Sequence, residues 1–89
     1  MWDWDEVKRA ANLAKHGVDF AVIDNFDWLT ADVWVDGRFD YGEERKSGLG
    51  LIAGRLFAVA YTERGLDNRI ISLRKANKRE RRLWSSSAK

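Results

Sequence analysis

The 89-residue sequence predicts an α+β domain built on an antiparallel sheet. Three observations predict it. The N-terminal part places apolar residues at helical spacing. The centre alternates apolar and polar residues as strands do. The C-terminal part returns to a helical pattern behind a capping signal. Helices gathered at both ends of a strand meander belong to the α+β class. The expected order is two N-terminal helices, a β-meander of about four strands and a C-terminal helix, in a single domain over residues 1–89.

The segment DWDEVKRAANLAKHG, residues 3–17, reads as the first helix. Asp3 and Glu6 have capping-box spacing. Trp4, Val7, Ala11 and Ala14 share one face at helical spacing, and Lys8, Asn12 and Lys15 share another. Gly17 is the natural residue just past the end. VDFAVIDNFDWL, residues 18–29, reads as a second helix with Asp19 as N-cap, a staple from Val18 to Ile23, and Phe20, Ile23 and Phe26 inward. ADVWVD alternates and is rich in strand formers. GRFDYGEE is a polar loop, RKSGLGLIAG a glycine-weakened second strand, RLFAVAYTE a third, RGLDN a turn and RIISLRK a fourth. NKRERRLW closes the domain as a helix, with Asn77 and Glu80 at capping-box spacing, and SSSAK is expected to fray.

Closing the third and fourth strands with a three-residue loop between Arg64 and Asn68 sets position 62 opposite 70, 60 opposite 72 and 58 opposite 74. One face then carries Phe57, Val59, Tyr61, Ile71 and Leu73, a core face. The other carries Ala58, Ala60, Thr62, Ile70, Ser72 and Arg74, small and partly polar, the floor of a shallow groove. A one-residue slip would set Ser72 and Arg74 among the bulky apolar side chains, which disfavours it.

The chain has no cysteine, which excludes disulfides and thiolate metal sites, and a single histidine. No apolar run approaches the roughly 20 residues that span a bilayer. The acidic, helix-like start does not resemble a signal peptide, and the cytoplasm is the expected compartment. The net charge of +2 conceals a strong asymmetry. Residues 1–68 carry 8 Lys/Arg against 13 Asp/Glu, a net −5, while residues 69–89 carry 8 Lys/Arg against Glu80 alone, a net +7. A basic end on an acidic body is the footprint of a polyanion ligand, set against the plainer reading of a solvated helix face.

His16, at the first helix's end, is either a cap residue that favours the helix dipole or a proton-transfer group. No metal is expected, because no second histidine exists and the acids show no ligand spacing. Glu63 and Arg64 are ordinary hairpin-tip residues or functional ones. Arg74 and Lys75 end a strand beside a helix N-terminus, an arrangement that binds anions. Arg64 and Arg74 share a face in the expected register and are expected to clamp one phosphate. Lys78, Arg79, Arg81 and Arg82 crowd like charges on the last helix, at a cost that implies a use on RNA phosphates or an acidic partner. Leu83 and Trp84 are expected to pin that helix to the sheet. Cations with His16, Glu63 or a lysine as proton-transfer group suffice for metal-free RNA cleavage. The alternative is a non-catalytic nucleic-acid- or protein-binding module.

The segments WDEVKRAANLAKHGVDF, YTERG and RIISLRKANKRERR together resemble the BrnT toxins of bacterial type II toxin–antitoxin systems. The resemblance implies a RelE-like fold and a metal-independent endoribonuclease that inhibits translation, with no cofactor. It implies a BrnA-type antitoxin as partner, and operator DNA met only through the toxin–antitoxin complex. Carried over by motif, Lys15, His16, Glu63, Arg64 and Arg74 are the expected catalytic positions. Ser72 and Lys75 are expected on the RNA, with Lys78, Arg79 and Arg82. Residues 19–44, with eight acids against Arg38 alone, match least and are a solvated surface or an antitoxin contact.

Overall fold

Asp5, not Asp3, starts the first helix. Its carboxylate accepts the N–H groups of Val7 and Lys8, and α1 then runs Glu6–His16. Asp3 is occupied elsewhere, because Trp2–Asp3 forms a short strand, β1, parallel to the sheet. The computed structural model describes residues 1–36 and 44–86, so the loop expected at 37–44, apart from Glu44, and the last three residues of the segment expected to fray lie outside the described residues. After α1 comes a 3-10 helix, Phe20–Asn25, then β2 (Asp32–Asp36), β3 (Arg45–Ile52), β4 (Arg55–Arg64), β5 (Asp67–Lys75) and α2 (Lys78–Ser86). The sheet order is β1-β5-β4-β3-β2, antiparallel except for β1 on β5. The fold is α+β, and no described helix is long and apolar enough to cross a membrane.

The second expected helix is the 3-10 segment, capped as expected by Asp19, whose carboxylate accepts the Ala21 N–H. It lays Phe20 and Ile23 onto one face of the sheet. With Val18, Phe26, Ile52, Phe57, Val59, Tyr61, Ile70 and Leu73 they form the main core. Gly50 sits beneath Phe26, and a Cβ there would run into the ring, so this glycine permits a close approach that any side chain would block. The opposite face holds a smaller cluster, Leu49, Leu56 and Ala76, covered by Trp84 of α2.

The β4–β5 hairpin turns through two residues, Gly65 and Leu66, not three. Gly65 takes φ +61, the positive value that the first position of one tight two-residue hairpin turn requires. The pairing is therefore shifted by one near the tip, with Thr62 opposite Arg69. A bulge at Ile71 restores the expected register, with Ala60 opposite Ser72 and Ala58 opposite Arg74. The bulge also exchanges the two isoleucines: Ile70, expected on the groove side, is buried in the core, and Ile71 is half-exposed.

Candidate active site

Beyond the bulge, alternate residues of β5 and β4 turn away from the core and form the floor of a cleft of about 470 Å³. Ala58, Ala60, Ser72 and Arg74 line it, as the alternation of the two strands predicts, and Ser47 and Trp34 extend it across β3 and β2. The floor is shallow because its central residues are small. α2 supplies the facing wall with Asn77, Arg79, Glu80 and Leu83.

The start of α2 is fixed tightly. The Ala76 N–H donates to the Leu56 carbonyl at 3.0 Å. The capping box then forms in both directions: the Glu80 N–H donates to Asn77 Oδ1 at 2.8 Å, and the Asn77 N–H donates to Glu80 Oε1 at 2.9 Å. Arg74 donates from Nη1 and Nη2 to the two oxygens of Glu80, at 2.7 and 2.9 Å. This fork-to-fork pair is the geometrically favoured form of the arginine–carboxylate bond. The bond from Arg74, more than any other effect, holds the Glu80 carboxyl below its usual range, and Glu80 in turn raises Arg74. The Arg74 guanidinium is thus oriented by an acid and not presented bare to the cleft. Trp84 pins the helix, donating Nε1–H to the Thr30 carbonyl at 3.3 Å, whereas Leu83 is 54% exposed on the cleft wall and does not.

A second, shallower cleft of about 280 Å³ lies between the middle of β5 and α1. Lys8, Asn12, Lys15, His16, Ile71 and Ser72 are among its lining residues. The apolar face of α1 is not the one that docks along its length: Trp4, just before the helix, packs against the core, but Val7 is 78% exposed and Ala11 and Ala14 are exposed too. The reason is Asn12. Its amide donates to the Leu73 carbonyl at 2.7 Å and to the Val18 carbonyl at 3.0 Å, and its oxygen accepts the Leu73 N–H at 3.2 Å. This one buried side chain satisfies both backbone groups of Leu73 on the outer edge of β5, as a neighbouring strand would. The alanines of the opposite face have too little apolar area to outweigh that. The result brings Lys15 and His16, on the last turn of α1, to the flank of Ser72.

Ser72 lines both clefts. Lys15 and His16 from α1 line the smaller cleft with it, and Arg74 from β5 and Arg79 from α2 line the larger. Lys75, Lys78 and Arg82 line neither cleft; all three are exposed at the end of β5 and on the rest of α2. The expected clamp of Arg64 with Arg74 does not form. Arg64 pairs with Asp67 at the hairpin tip and Arg74 with Ala58, six residues along β4. At 3.2–3.4 Å per residue that is about 20 Å, too far for two guanidinium groups to meet on one phosphate. Glu63 is at the tip too, its carboxylate 2.8 Å from Lys46 Nζ. Three residues of the site were not singled out from sequence: Asn12, Glu80 as partner of Arg74, and Trp34. Glu80 had a signal, since it is the single acid in residues 69–89 and stands six residues after Arg74.

Among the described residues no three His, Cys, Asp or Glu side chains gather as a metal site. The family model described as "Ribonuclease toxin, BrnT, of type II toxin-antitoxin system" matches residues 4–80. No individual curated protein matches the chain.

Proposed function

Because the chain belongs to the BrnT family of ribonuclease toxins of type II toxin–antitoxin systems, we propose that it cleaves RNA at a backbone phosphate held over Ser72, without a metal ion. The observation that carries this reading is the position of Ser72 between two clefts, with Lys15 and His16 on one side and Arg74 and Arg79 on the other. In the reaction, the ribose 2′-oxygen attacks phosphorus and its proton passes to a base. The bond from phosphorus to the 5′-oxygen breaks, and that oxygen takes up a proton. The products are a 2′,3′-cyclic phosphate and a 5′-hydroxyl.

An imidazole both accepts and gives protons near neutral pH, so His16 is assigned the proton transfer. Lys15 and Arg79 are assigned to the charge that develops on the phosphoryl oxygens. Arg74 acts with Glu80, which fixes the plane of its guanidinium. Lys75, Lys78 and Arg82 carry the rest of the strand through salt-dependent phosphate contacts.

A type II toxin has a cognate antitoxin. Here it is taken to be a BrnA-type protein that lays an acidic, amphipathic segment across the groove, and RNA cleavage by the unbound toxin is taken to halt translation. The test is cleavage of RNA by the purified chain in EDTA, with the 2′,3′-cyclic phosphate identified in the product. His16→Ala and Arg79→Ala are each expected to slow cleavage by about a hundred- to ten-thousandfold, with the circular dichroism of the wild type. Full activity in both variants, or activity that needs a divalent ion, overturns the reading.

A further inference from the structure

Trp34 stands at the far end of the groove from Ser72, and packing among the described residues does not account for it. It lies on β2, the edge strand, and is 48% exposed, although tryptophan in a folded chain is on average highly buried. Among the described residues no other ring packs against it, whereas Trp2 and Trp28 stack on each other and meet Tyr61 edge-to-face.

Its place in the sheet is informative. Trp34 is opposite Ser47, Ser47 opposite Ala60, and Ala60 opposite Ser72. The four form one straight row across four strands, all on the cleft side. The two inner members are small, so no side chain of the row rises between the indole and Ser72. Three inter-strand spacings separate the ends of the row, about 14 Å. Arg79 and Leu83 of α2 face the row from the opposite wall.

The slot therefore offers an aromatic face at one end, a small-residue floor and a facing wall that carries the Arg79 cation. Single-stranded RNA presents the matching series: each base has a π-face that stacks on aromatic side chains, and each phosphate attracts a cation. An apolar peptide would leave the arginine unmatched. We propose that this half of the groove is a nucleobase subsite, in which Trp34 stacks a base of the RNA strand whose scissile phosphate lies at Ser72. The span is longer than a single nucleotide, so the stacked base belongs to a nucleotide next to the cleaved bond and not to one that forms it. The inference rests on the ribonuclease reading above and adds to it the feature that holds the strand in register.

The experiment uses a short RNA oligonucleotide with 2′-O-methyl riboses, which lack the attacking hydroxyl, so that binding is read without cleavage. Trp34→Ala is expected to weaken binding by about 5- to 150-fold and Trp34→Phe by much less, because phenylalanine keeps a ring to stack on. In parallel, abasic nucleotides are scanned through the same oligonucleotide with the wild-type chain. One position adjacent to the two nucleotides joined by the scissile bond is expected to lose a similar factor, and Trp34→Ala is expected to be insensitive to that change. Equal binding by Trp34→Ala, while the wild type still cleaves unmodified RNA, overturns the subsite and leaves the ribonuclease reading standing. An even response to abasic sites at every position overturns it too, and needs no folded variant. Absence of any cleavage by the wild type overturns the ribonuclease reading instead.

Discussion

Phe57, Val59 and Leu73 turn toward the 3-10 helix and are buried; Ala58, Ala60 and Ser72, their immediate neighbours on the same strands, turn toward α2 and stay half-exposed. Backbone, register and hydrogen bonds are common to the two faces. Side-chain volume separates them. Large apolar residues close one face against Phe20 and Ile23, and small residues on the other leave room beneath α2 for a ligand. A sheet of five strands thus carries its core and its site back to back, and substitutions on neighbouring residues of one strand can be aimed at either.

The largest effect is expected where the comparison is sharpest. Leu73 is fully buried. Leu73→Ala is expected to lower unfolding free energy by about 2–5 kcal/mol, the range for deleting a packed leucine side chain. Ala60→Leu fills the open face instead. It is expected to change stability by less than about 1.5 kcal/mol, while RNA cleavage falls at least about tenfold because the floor of the groove is raised. Urea titration with a cleavage assay on both variants checks this. If Ala60→Leu unfolds the chain as Leu73→Ala does, the two faces are not independent.

The two faces were legible from the alternation of RLFAVAYTE and RIISLRK, because side-chain direction in a strand has a period of two residues. The isoleucine exchange was not. It depends on a two-residue turn and a bulge that cancel each other, and the run Ile70–Ile71 gives no signal for which side chain goes inward. The capping box at Asn77 and Glu80 was legible because it is local, and both of its bonds form. The docking of α1 was not, because Asn12 works through a contact 61 residues away in sequence. Lys15, His16, Ser72, Arg74 and Arg79 are legible as candidates in the sequence, and each lines one or both of the two clefts that share Ser72. Glu63 and Arg64 were named with them but lie at the hairpin tip, since an extended strand carries its two ends apart. Trp34 drew no notice because one tryptophan in an alternating strand is indistinguishable from a core residue until the strand is found at the edge.

Asn12 joins the two faces at the outer edge of β5, and its removal is the next largest effect. Asn12→Ala leaves the buried N–H and carbonyl of Leu73 without their partner and is expected to cost about 1–3 kcal/mol of stability. The displaced α1 carries Lys15 and His16 with it, so cleavage should fall even in the fraction that remains folded. Asn12→Asp tests the cause. It keeps the acceptor for the Leu73 N–H and removes the donors to the two carbonyls, so an intermediate stability is expected. Stability equal to the wild type in both variants would mean that the edge of β5 is held by something else.

The smallest effect compares two arginine–carboxylate forks, one on each side of the molecule. Arg9 grips Asp19 through Nε and Nη2, both at 2.8 Å, and ties α1 to the 3-10 helix, while Arg74 grips Glu80 and ties β5 to α2. Each carboxylate also accepts a backbone N–H at a helix start. The bond from Arg9, then that from the Ala21 N–H, holds the Asp19 carboxyl at about 2 against its ordinary 3.8. Glu80 is lowered from 4.5 by the same kind of bond from Arg74. Both groups are therefore protonated more readily in the unfolded chain than in the folded one. Their stabilisation is whole above the ordinary carboxylate range and drains away as pH falls through the lowered values. Both pairs are partly exposed, which keeps the effect small and makes it weaken in salt. Urea midpoints of the wild type and Asp19→Asn should differ by a constant amount from pH 7 down to about pH 4 and converge toward about pH 2, and the gap to Glu80→Gln should also narrow as pH falls below the ordinary glutamate range. A gap that stays constant to the acid end would show that the carboxylates act there through shape and not through charge.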